Sequence, residues 1–235
     1  MRFRLEKSIT KIQAFSQQQN ANKKLTENMP CRLKRELKSR EKVWYDVKRR
    51  KHHYDQNPKE ADDTMKDLKD YIRTIPDFPQ EGIMFRDITP LIQDPDGLQL
   101  AVDSFLEELK DVEFDLVVGP ESRGFIFGVP VAYAAKKGFV PARKKGKLPW
   151  KTESVSYELE YGSTEIEIHA DAIKPGQKVV IVDDLLATGG TIEAVIRLIE
   201  KLGGEVVKLC FLIELDDLRG FEKVKQYRLG SMMHY

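Results

Sequence analysis

The apolar residues of this chain follow two spacings, which alternate over its last two thirds. Four short apolar runs have the length of strands, at residues 114–119, 139–143, 179–182 and 205–215. Three other stretches predict helices, namely residues 98–109, a segment that ends at residue 135, and residues 192–202. Because strand and helix patterns alternate, and the 179–182 run is apolar at every position, an α/β fold with a buried parallel sheet is predicted.

The remaining patterns predict smaller elements. Apolar residues recur at helical spacing over residues 65–75, so we expect a short amphipathic helix that Pro76 ends. Residues 152–167 alternate around Gly162, as in a β-hairpin. The polar tail after residue 215 is expected to form a short helix and a surface segment, whose aromatic side chains could serve a subunit contact.

Composition limits the class of protein. The chain has 235 residues, of which 41% are hydrophobic and 33% charged, which is enough for one large domain or for a domain with an extension. Two cysteines, Cys31 and Cys210, make no disulfide framework, and no apolar run approaches the ~20 residues of a membrane helix. With no secretory leader visible, we expect a cytoplasmic protein without a membrane partner.

Charge divides the chain in two. Residues 1–64 contain 17 Lys or Arg and 9 Asp or Glu, a net charge of +8, whereas residues 65–235 carry 22 and 29, a net charge of −7. The basic part has no sustained apolar period, so we expect an N-terminal extension that is disordered or irregularly helical. It could be a solvated tail, an arm that binds RNA or a membrane surface, or an upstream-extended reading frame ahead of Met65. Residues 65–235 would then form the globular domain.

The chemistry concentrates after the 179–182 run. Two adjacent carboxylates, Asp183 and Asp184, come directly before a Gly-rich loop and a helix. Such a loop points backbone N–H groups into one concavity, and the helix adds the positive end of its dipole, so the pattern predicts an anion site. Carboxylates would repel a bare phosphate, so they are expected to face hydroxyl groups or a hydrated Mg²⁺. A phosphorylated sugar would satisfy both requirements.

A Gly-rich turn alone can exist merely to reverse the chain, and two acids can merely cap a helix. The conjunction is more specific, because the segment VVIVDDLLATGGT closely resembles the signature that binds phosphoribosyl diphosphate (PRPP) in type I phosphoribosyltransferases. The resemblance implies their fold, a parallel twisted sheet flanked by helices, with a small hood and a flexible hairpin lid. It implies that Asp183 and Asp184 hold the ribose hydroxyls, that Leu185 contacts the base, and that the 5′-phosphate is held by Ala187, Thr188, Gly189, Gly190 and Thr191.

A second segment indicates the base. Residues 75–91, IPDFPQEGIMFRDITPL, are very similar to the N-terminal segment of adenine phosphoribosyltransferases. The resemblance implies that Met84, Phe85 and Arg86 form part of the wall around the purine. A Phe ring can stack on a flat heterocycle while backbone groups read its edge. Phe85 as an ordinary core residue stays open as the alternative.

Two further segments resemble the parts of the family that bind diphosphate and cover the site. Residues 121–125, ESRGF, could by themselves cap a helix, but they match the diphosphate loop, in which an unusual peptide geometry is expected. Positive charge for the diphosphate is expected from Arg143, Lys144 and Lys147 in RKKGKLPW, where a charge run is otherwise a solvated loop. The remaining residues that the resemblance assigns are Glu121, Ser122 and Arg123 at the diphosphate and Glu160 and Tyr161 in the hairpin lid.

The resemblance implies that adenine and PRPP react to give AMP and diphosphate, as in purine salvage. Mg²⁺ would be carried mainly by PRPP, Glu160 would relay the proton of the base, and the lid would exclude water. Members of the family are usually homodimers. Two rivals remain, another purine phosphoribosyltransferase and a PRPP-sensing regulator that binds nucleic acid. Because the diphosphate loop and the lid are both present, the enzyme is favoured, and a nucleic-acid partner is not expected.

Overall fold

A computed structural model describes residues 66–159 and 162–235, with only the backbone described at residues 158, 159, 162 and 163. Seven strands form one sheet, with bounds Leu116–Pro120 (β3), Gly138–Lys144 (β4), Thr152–Leu159 (β5), Gly162–His169 (β6), Lys178–Leu186 (β7), Glu205–Glu214 (β8) and Leu229–His234 (β9). Their order across the sheet is β5-β6-β4-β3-β7-β8-β9. Strands β4, β3, β7, β8 and β9 run parallel, whereas β6 is antiparallel to β4 and β5. The predicted parallel α/β sheet is therefore confirmed.

The central strands are buried on both faces. In β7 the six residues from Val179 to Asp184 are all buried, and in β8 every residue from Lys208 to Glu214 is buried. Continuous burial without alternation is what a parallel strand covered by helices on both sides requires. The β-branched and apolar runs of the sequence therefore become the centre of the sheet, and their carboxyl ends meet at one edge of it.

The described residues contain four α-helices: α1 (Thr89–Gln93), α2 (Pro95–Glu108), α3 (Arg123–Ala135) and α4 (Gly190–Lys201). The last three pack against strands of the sheet, and α1 packs on α2. Helix α2 begins where the carboxylate of Asp94 accepts the N–H groups of Asp96 and Gly97, with a proline at its first position. Helices α2 and α3 meet through Phe105 and Phe127, whose ring centroids are 5.6 Å apart. Helix α4 buries Ile192, Val195, Ile196 and Ile199 against the sheet, as its helical spacing predicts. Within the described residues, no helix is both long and apolar enough to cross a membrane.

Two segments differ from their predicted structure. The helix predicted for residues 65–75 is wrong beyond Tyr71, because a 3₁₀ helix at Leu68–Tyr71 is followed by a strand, β1 (Arg73–Ile75). This strand pairs antiparallel with β2 (Phe85–Asp87), so pairing with a distant segment overrides the local helical spacing. The tail forms 3₁₀ helices at Asp216–Leu218 and Gly220–Lys223, but the predicted surface segment is wrong where β9 joins the sheet beside β8.

The hairpin of β5 and β6 extends the sheet on the side of β4. Pairing continues from Thr152 opposite His169 up to Leu159 opposite Gly162, which places Gly162 at the start of β6. The base of the hairpin rests on α4, where Arg197 donates a hydrogen bond of 3.0 Å to the carbonyl of Ser156. The predicted N-terminal extension of residues 1–64 lies outside the described residues, as does Met65.

Candidate active site

Two adjoining cavities open at the carboxyl ends of the parallel strands, where open α/β sheets bind ligands. The first cavity, of about 220 Å³, is lined by residues of β3, β7 and the turn into α4, including Asp183, Asp184, Leu185 and the whole segment from Ala187 to Thr191. The second cavity, of about 340 Å³, lies under the small β1–β2 sheet. Arg123 lines both of them, so a ligand that bridges the cavities would pass this guanidinium.

The loop that leads into α4 is shaped by glycine. Gly189 precedes the first helical residue with φ +78°, a left-handed conformation that other residues rarely adopt. No side chain of the described residues caps this helix, so its first N–H groups remain free to bind a ligand in the cavity. A Cβ on Gly220 would stand 2.1 Å from the carbonyl oxygen of Ala187, so the 3₁₀ segment at Gly220–Lys223 presses directly on the loop.

Asp183 and Asp184 are buried at the floor of the first cavity, with only 9% and 3% of their surface exposed. Burial, and then the charge of Asp184, raise the pKa of Asp183 well above its usual value. Burial also raises the pKa of Asp184, against the opposing effect of Arg123, whose Nε lies 3.0 Å from Asp184 Oδ2. That ion pair does not have hydrogen-bond geometry, so Oδ2 is a buried acceptor that receives no hydrogen bond from the described residues. A ligand hydroxyl or metal-bound water could supply the missing donor.

The ESRGF segment forms the turn from β3 into α3. Its Glu121–Ser122 peptide is cis, which confirms the unusual peptide geometry expected there. The carboxylate of Glu121 accepts hydrogen bonds of 3.1 Å from Arg143 Nε and from the backbone N–H of Lys144. Burial alone would raise the pKa of Glu121, but these donors hold it below its usual value. Gly124 packs so closely that a Cβ there would stand 2.8 Å from Asp183 Oδ1.

The second cavity is lined by apolar side chains and one carboxylate. Phe78 and Phe85 meet edge to face with ring centroids 5.2 Å apart. Asp87, two residues after Phe85 in β2, accepts hydrogen bonds from the backbone and hydroxyl of Thr89 and from Arg73. The Thr89 hydroxyl first, and then the other donors, hold the pKa of Asp87 below its usual value, against the effect of burial. The cavity is lined by Ile75, Phe78, Phe85, Asp87, Ile88, Thr89 and Arg123.

The candidate residues are not all found in these cavities. Glu121, Arg123, Leu185, the Asp pair, the Ala187–Thr191 loop and Phe85 line them. Met84 is exposed and lines neither, and Arg86 points away from the second cavity to Thr74 Oγ1 and to the ring of Tyr235, 4.1 Å from its Cζ. The exposed Ser122 and the cations of the basic loop, Arg143, Lys144 and Lys147, lie beside the cavities rather than in their walls. Glu160 and Tyr161 lie outside the described residues.

The structure adds residues that the sequence reasoning did not select. Ile75, Phe78, Ile88 and Thr89 join Phe85 around the second cavity because β1 and β2 pair across a turn. One local signal could have revealed part of this wall. Thr89 follows Asp87 at the spacing of an Asx turn, and its N–H does bond to Asp87 Oδ1 at 2.8 Å.

Oxygen ligands for a divalent cation are present in the first cavity. The carboxylates of Asp183 and Asp184 are hard oxygen ligands of the kind that Mg²⁺ prefers, and no described residue donates a hydrogen bond to Asp184 Oδ2. They are therefore compatible with Mg²⁺ that a ligand carries, although Arg123 competes for Asp184. Elsewhere in residues 66–159 and 162–235, one group of three possible metal ligands is found, Glu214, Asp216 and His234. Its atoms already form hydrogen bonds, between His234 and Asp216 and from Ser231 to Glu214.

Known proteins show the same domain. A family model described as a phosphoribosyl transferase domain matches residues 96–229. The adenine phosphoribosyltransferase of Lachnoclostridium phytofermentans is 60% identical over 171 residues, which are 73% of this chain and 98% of that protein. A crystal structure of adenine phosphoribosyltransferase from Thermoanaerobacter pseudethanolicus matches with a TM-score of 0.70 and 50% identity, over 72% of this chain and 98% of that one.

A further structure, the Saccharomyces cerevisiae enzyme complexed with an imino-altritol bisphosphate and adenine, is 41% identical with a TM-score of 0.67, over 70% of this chain and 96% of that one. Both the family match and the identity of the relatives extend over most of the described fold. The chain therefore belongs to the phosphoribosyltransferase family, and within it to the adenine phosphoribosyltransferases.

Proposed function

We propose that the two cavities together catalyse the transfer of the 5-phosphoribosyl group from PRPP to adenine, giving AMP and diphosphate. The observation that carries this proposal is their junction at Arg123, with an anion loop and an acid pair on one side and two phenylalanines on the other. A sugar phosphate and a flat base held in adjoining cavities would bring C1′ and the attacking nitrogen together.

We assign PRPP to the first cavity. The loop from Ala187 to Thr191 would hold the 5′-phosphate with backbone N–H groups and the hydroxyls of Thr188 and Thr191. Asp183 and Asp184 would accept hydrogen bonds from the ribose hydroxyls, and their negative charge would favour positive charge on the ring as the leaving group departs. Leu185 would contact the base from the sugar side.

Diphosphate would leave toward the turn between β3 and α3. The backbone at Ser122 and the guanidinium of Arg123 would meet it first, with Arg143, Lys144 and Lys147 adding positive charge from the neighbouring loop. Glu121 supports this role because it holds Arg143 and the backbone of Lys144 in place. Asp183 and Asp184 would supply the carboxylate oxygens that help to hold Mg²⁺ entering with PRPP, and the ion would add positive charge beside the diphosphate.

Adenine is assigned to the second cavity. Phe85 would stack on the base, and the backbone beside Met84 and Arg86 would read its edge, since the Arg86 side chain is committed to Tyr235. Adenine N9 would attack C1′ as diphosphate departs, and the proton of the base would pass to Glu160 or to solvent. The hairpin with Tyr161 would close over the site and exclude water.

We also propose that the protein acts as a homodimer in the cytoplasm. Helix α3 has no charged residue after Arg123, yet Val129 and Tyr133 on its outer side are 48% and 85% exposed. An apolar helix with an exposed apolar side favours contact with a second copy of the chain. The unpaired thiol of Cys210 suits a reducing compartment.

The test is product formation from PRPP and Mg²⁺ with adenine, guanine, hypoxanthine and xanthine in parallel assays. We expect AMP from adenine, with kcat/KM for the other bases lower by at least ~100-fold, because unmatched polar groups at a base edge are costly. Preferential reaction of another base would assign a different purine. If no base reacts while PRPP still binds, the protein would be a PRPP-sensing regulator and not an enzyme.

A further inference from the structure

We propose that Glu167 is a positioning residue for the diphosphate site, holding the basic loop of residues 143–148 against the base of the hairpin. This inference rests on the proposed function. Glu167 lies in β6, directly opposite Arg143 in the register between β4 and β6. Its side chain is 4% exposed, and it was not among the residues that the sequence pattern selected.

The carboxylate of Glu167 is surrounded by uncharged donors. Its Oε1 accepts hydrogen bonds of 3.0 Å from the backbone N–H groups of both Lys147 and Leu148. Its Oε2 accepts one of 3.2 Å from the hydroxyl of Thr152, at the start of β5. Burial would raise the pKa of Glu167, but these donors and the N–H of Gly146 hold it below its usual value. The group is therefore an anion at neutral pH.

Within the described residues Glu167 forms no ion pair, and burying a carboxylate without a cation costs free energy that an apolar residue would not. Its neighbours in β6, Ile166 and Ile168, point to the opposite face of the sheet and are also buried, so β6 is covered on both faces at this position. What an apolar residue could not do is bind consecutive N–H groups of a turn. The arrangement of donors indicates that the function of Glu167 is to fix the backbone of the basic loop.

The loop is held from its other side by Glu121. Arg143 donates to Glu121 through Nε and to the carbonyl of Lys147 through Nη1, both at 3.1 Å. Two carboxylates thus hold one short loop, Glu121 from the end of β3 and Glu167 from the hairpin. Glu167 and Thr152 both belong to the hairpin, and the bonds of Glu167 to Lys147 and Leu148 reach the basic loop. Glu167 therefore connects the predicted lid to the cations that are assigned to diphosphate.

The test compares substrates that contain the diphosphate group with substrates that lack it. In Glu167→Ala we expect KM for PRPP, and KM for diphosphate in the reverse reaction, to rise at least about tenfold, because misplaced cations lose their contacts. KM for adenine and for AMP should stay within about twofold. Glu167→Gln keeps an oxygen for the two N–H groups, so it should recover most of the affinity.

The matched control is Glu153→Ala in the same hairpin, where a partly exposed glutamate pairs with Lys201 at 2.6 Å. It should change none of the four KM values. Equal effects on all four substrates in Glu167→Ala would show a general structural role and overturn the inference, as would unchanged KM values. If Glu167→Ala does not fold, as judged from its thermal midpoint (Tm), the decision rests on Glu167→Gln. A Gln variant that loses as much Tm as the Ala variant, yet keeps the wild-type KM for PRPP, would also contradict the positioning role of Glu167.

Failure of the proposed function gives a different result. In that case the unsubstituted protein would form no AMP, although diphosphate binding could still be measured by calorimetry. Weaker diphosphate binding by Glu167→Ala than by Glu153→Ala would then support the positioning role alone, and equal binding would overturn it.

Discussion

Asp183 and Asp184 are acidic residues at buried positions, where a stable core normally has apolar residues. The two carboxylates adjoin one another at the floor of a cavity, and burial raises the pKa of each. A carboxyl group whose pKa is higher in the folded than in the unfolded chain takes up protons on folding. Its ionisation therefore opposes folding once the pH rises above the unfolded value, near 4. The site thus reduces the stability of the fold at neutral pH.

Asp183→Asn should therefore stabilise the folded protein and lower its catalytic activity. Each unit by which the pKa is raised opposes folding by about 1.4 kcal/mol, and a domain of this size gains about 2–4 °C in Tm per kcal/mol. We expect Tm at pH 8 to rise by at least about 3 °C, and the gain to shrink as the pH approaches 4. The kcat/KM for PRPP should fall by roughly 100-fold, because a charge that stabilises the transition state is lost.

Calorimetry at pH 8 and pH 4.5, together with AMP formation, would check both parts. The side-chain oxygen of Asn can still accept the hydrogen bond that the N–H of Asp184 donates to Asp183 Oδ1 at 2.9 Å, so we expect the local backbone to keep its conformation. A lower Tm at pH 8 would contradict the explanation.

Single residues also show what the sequence could reveal. The acid pair and the Ala187–Thr191 loop are consecutive, so one motif contains them all, and the structure places them around one cavity. Phe78 and Asp87 were missed because their cavity forms only when β1 and β2 pair. Glu167 had no signal at all, since two of its partners are backbone N–H groups, which every sequence has.

Elements were predictable where burial was continuous. Strands β3, β4 and β8 follow the apolar runs to within two residues at each end, whereas β7 continues four residues beyond its run, through the acid pair to Leu186. Strand β9 was not recognised because Gly230, Ser231 and His234 interrupt its apolar residues, and an edge strand needs only one neighbour. The missed tail is relevant to the site, since the 3₁₀ segment between β8 and β9 supports the loop at Ala187–Gly189.

Gly220→Ala should weaken the binding of any substrate with a 5′-phosphate. Its Cβ would meet the backbone of Ala187, which cannot move aside as a side chain can, so the loop would shift. We expect KM for both PRPP and AMP to rise about tenfold or more, with adenine and diphosphate within about twofold. Steady-state kinetics in both directions measures all four values.

The control for this substitution is Glu222→Ala, which removes an exposed side chain of the same 3₁₀ segment paired with Arg219 at 3.7 Å. It should leave the kinetics unchanged. If Gly220→Ala kept wild-type KM values for PRPP and AMP, the segment would not support the phosphate loop. The pattern differs from that expected for Glu167, which affects diphosphate and not AMP.

At the scale of the whole molecule, the exposed side of α3 favours assembly. Tyr133→Glu would place a charge in the proposed subunit contact, where a desolvated carboxylate is unfavourable. We expect sedimentation velocity to show a dimer for the unsubstituted protein and a monomer, or a dimer weakened at least about tenfold, for the variant. Lys174→Glu also replaces an exposed residue with glutamate, in the turn between β6 and β7 rather than on α3, and should remain a dimer. A fully dimeric Tyr133→Glu protein would place the contact elsewhere.

The last question at this scale is what residues 1–64 add to the domain. The match to the Lachnoclostridium phytofermentans protein spans 171 residues, the number from Met65 to Tyr235, and leaves 2% of that protein unmatched. We therefore expect a chain starting at Met65 to keep kcat and KM within about twofold and Tm within about 2 °C. Enzyme kinetics and calorimetry on both forms would test this expectation. The intact mass of the native protein would show whether residues 1–64 are present in it. A truncated chain that lost activity, or bound PRPP more weakly, would show that the basic extension contributes to the enzyme.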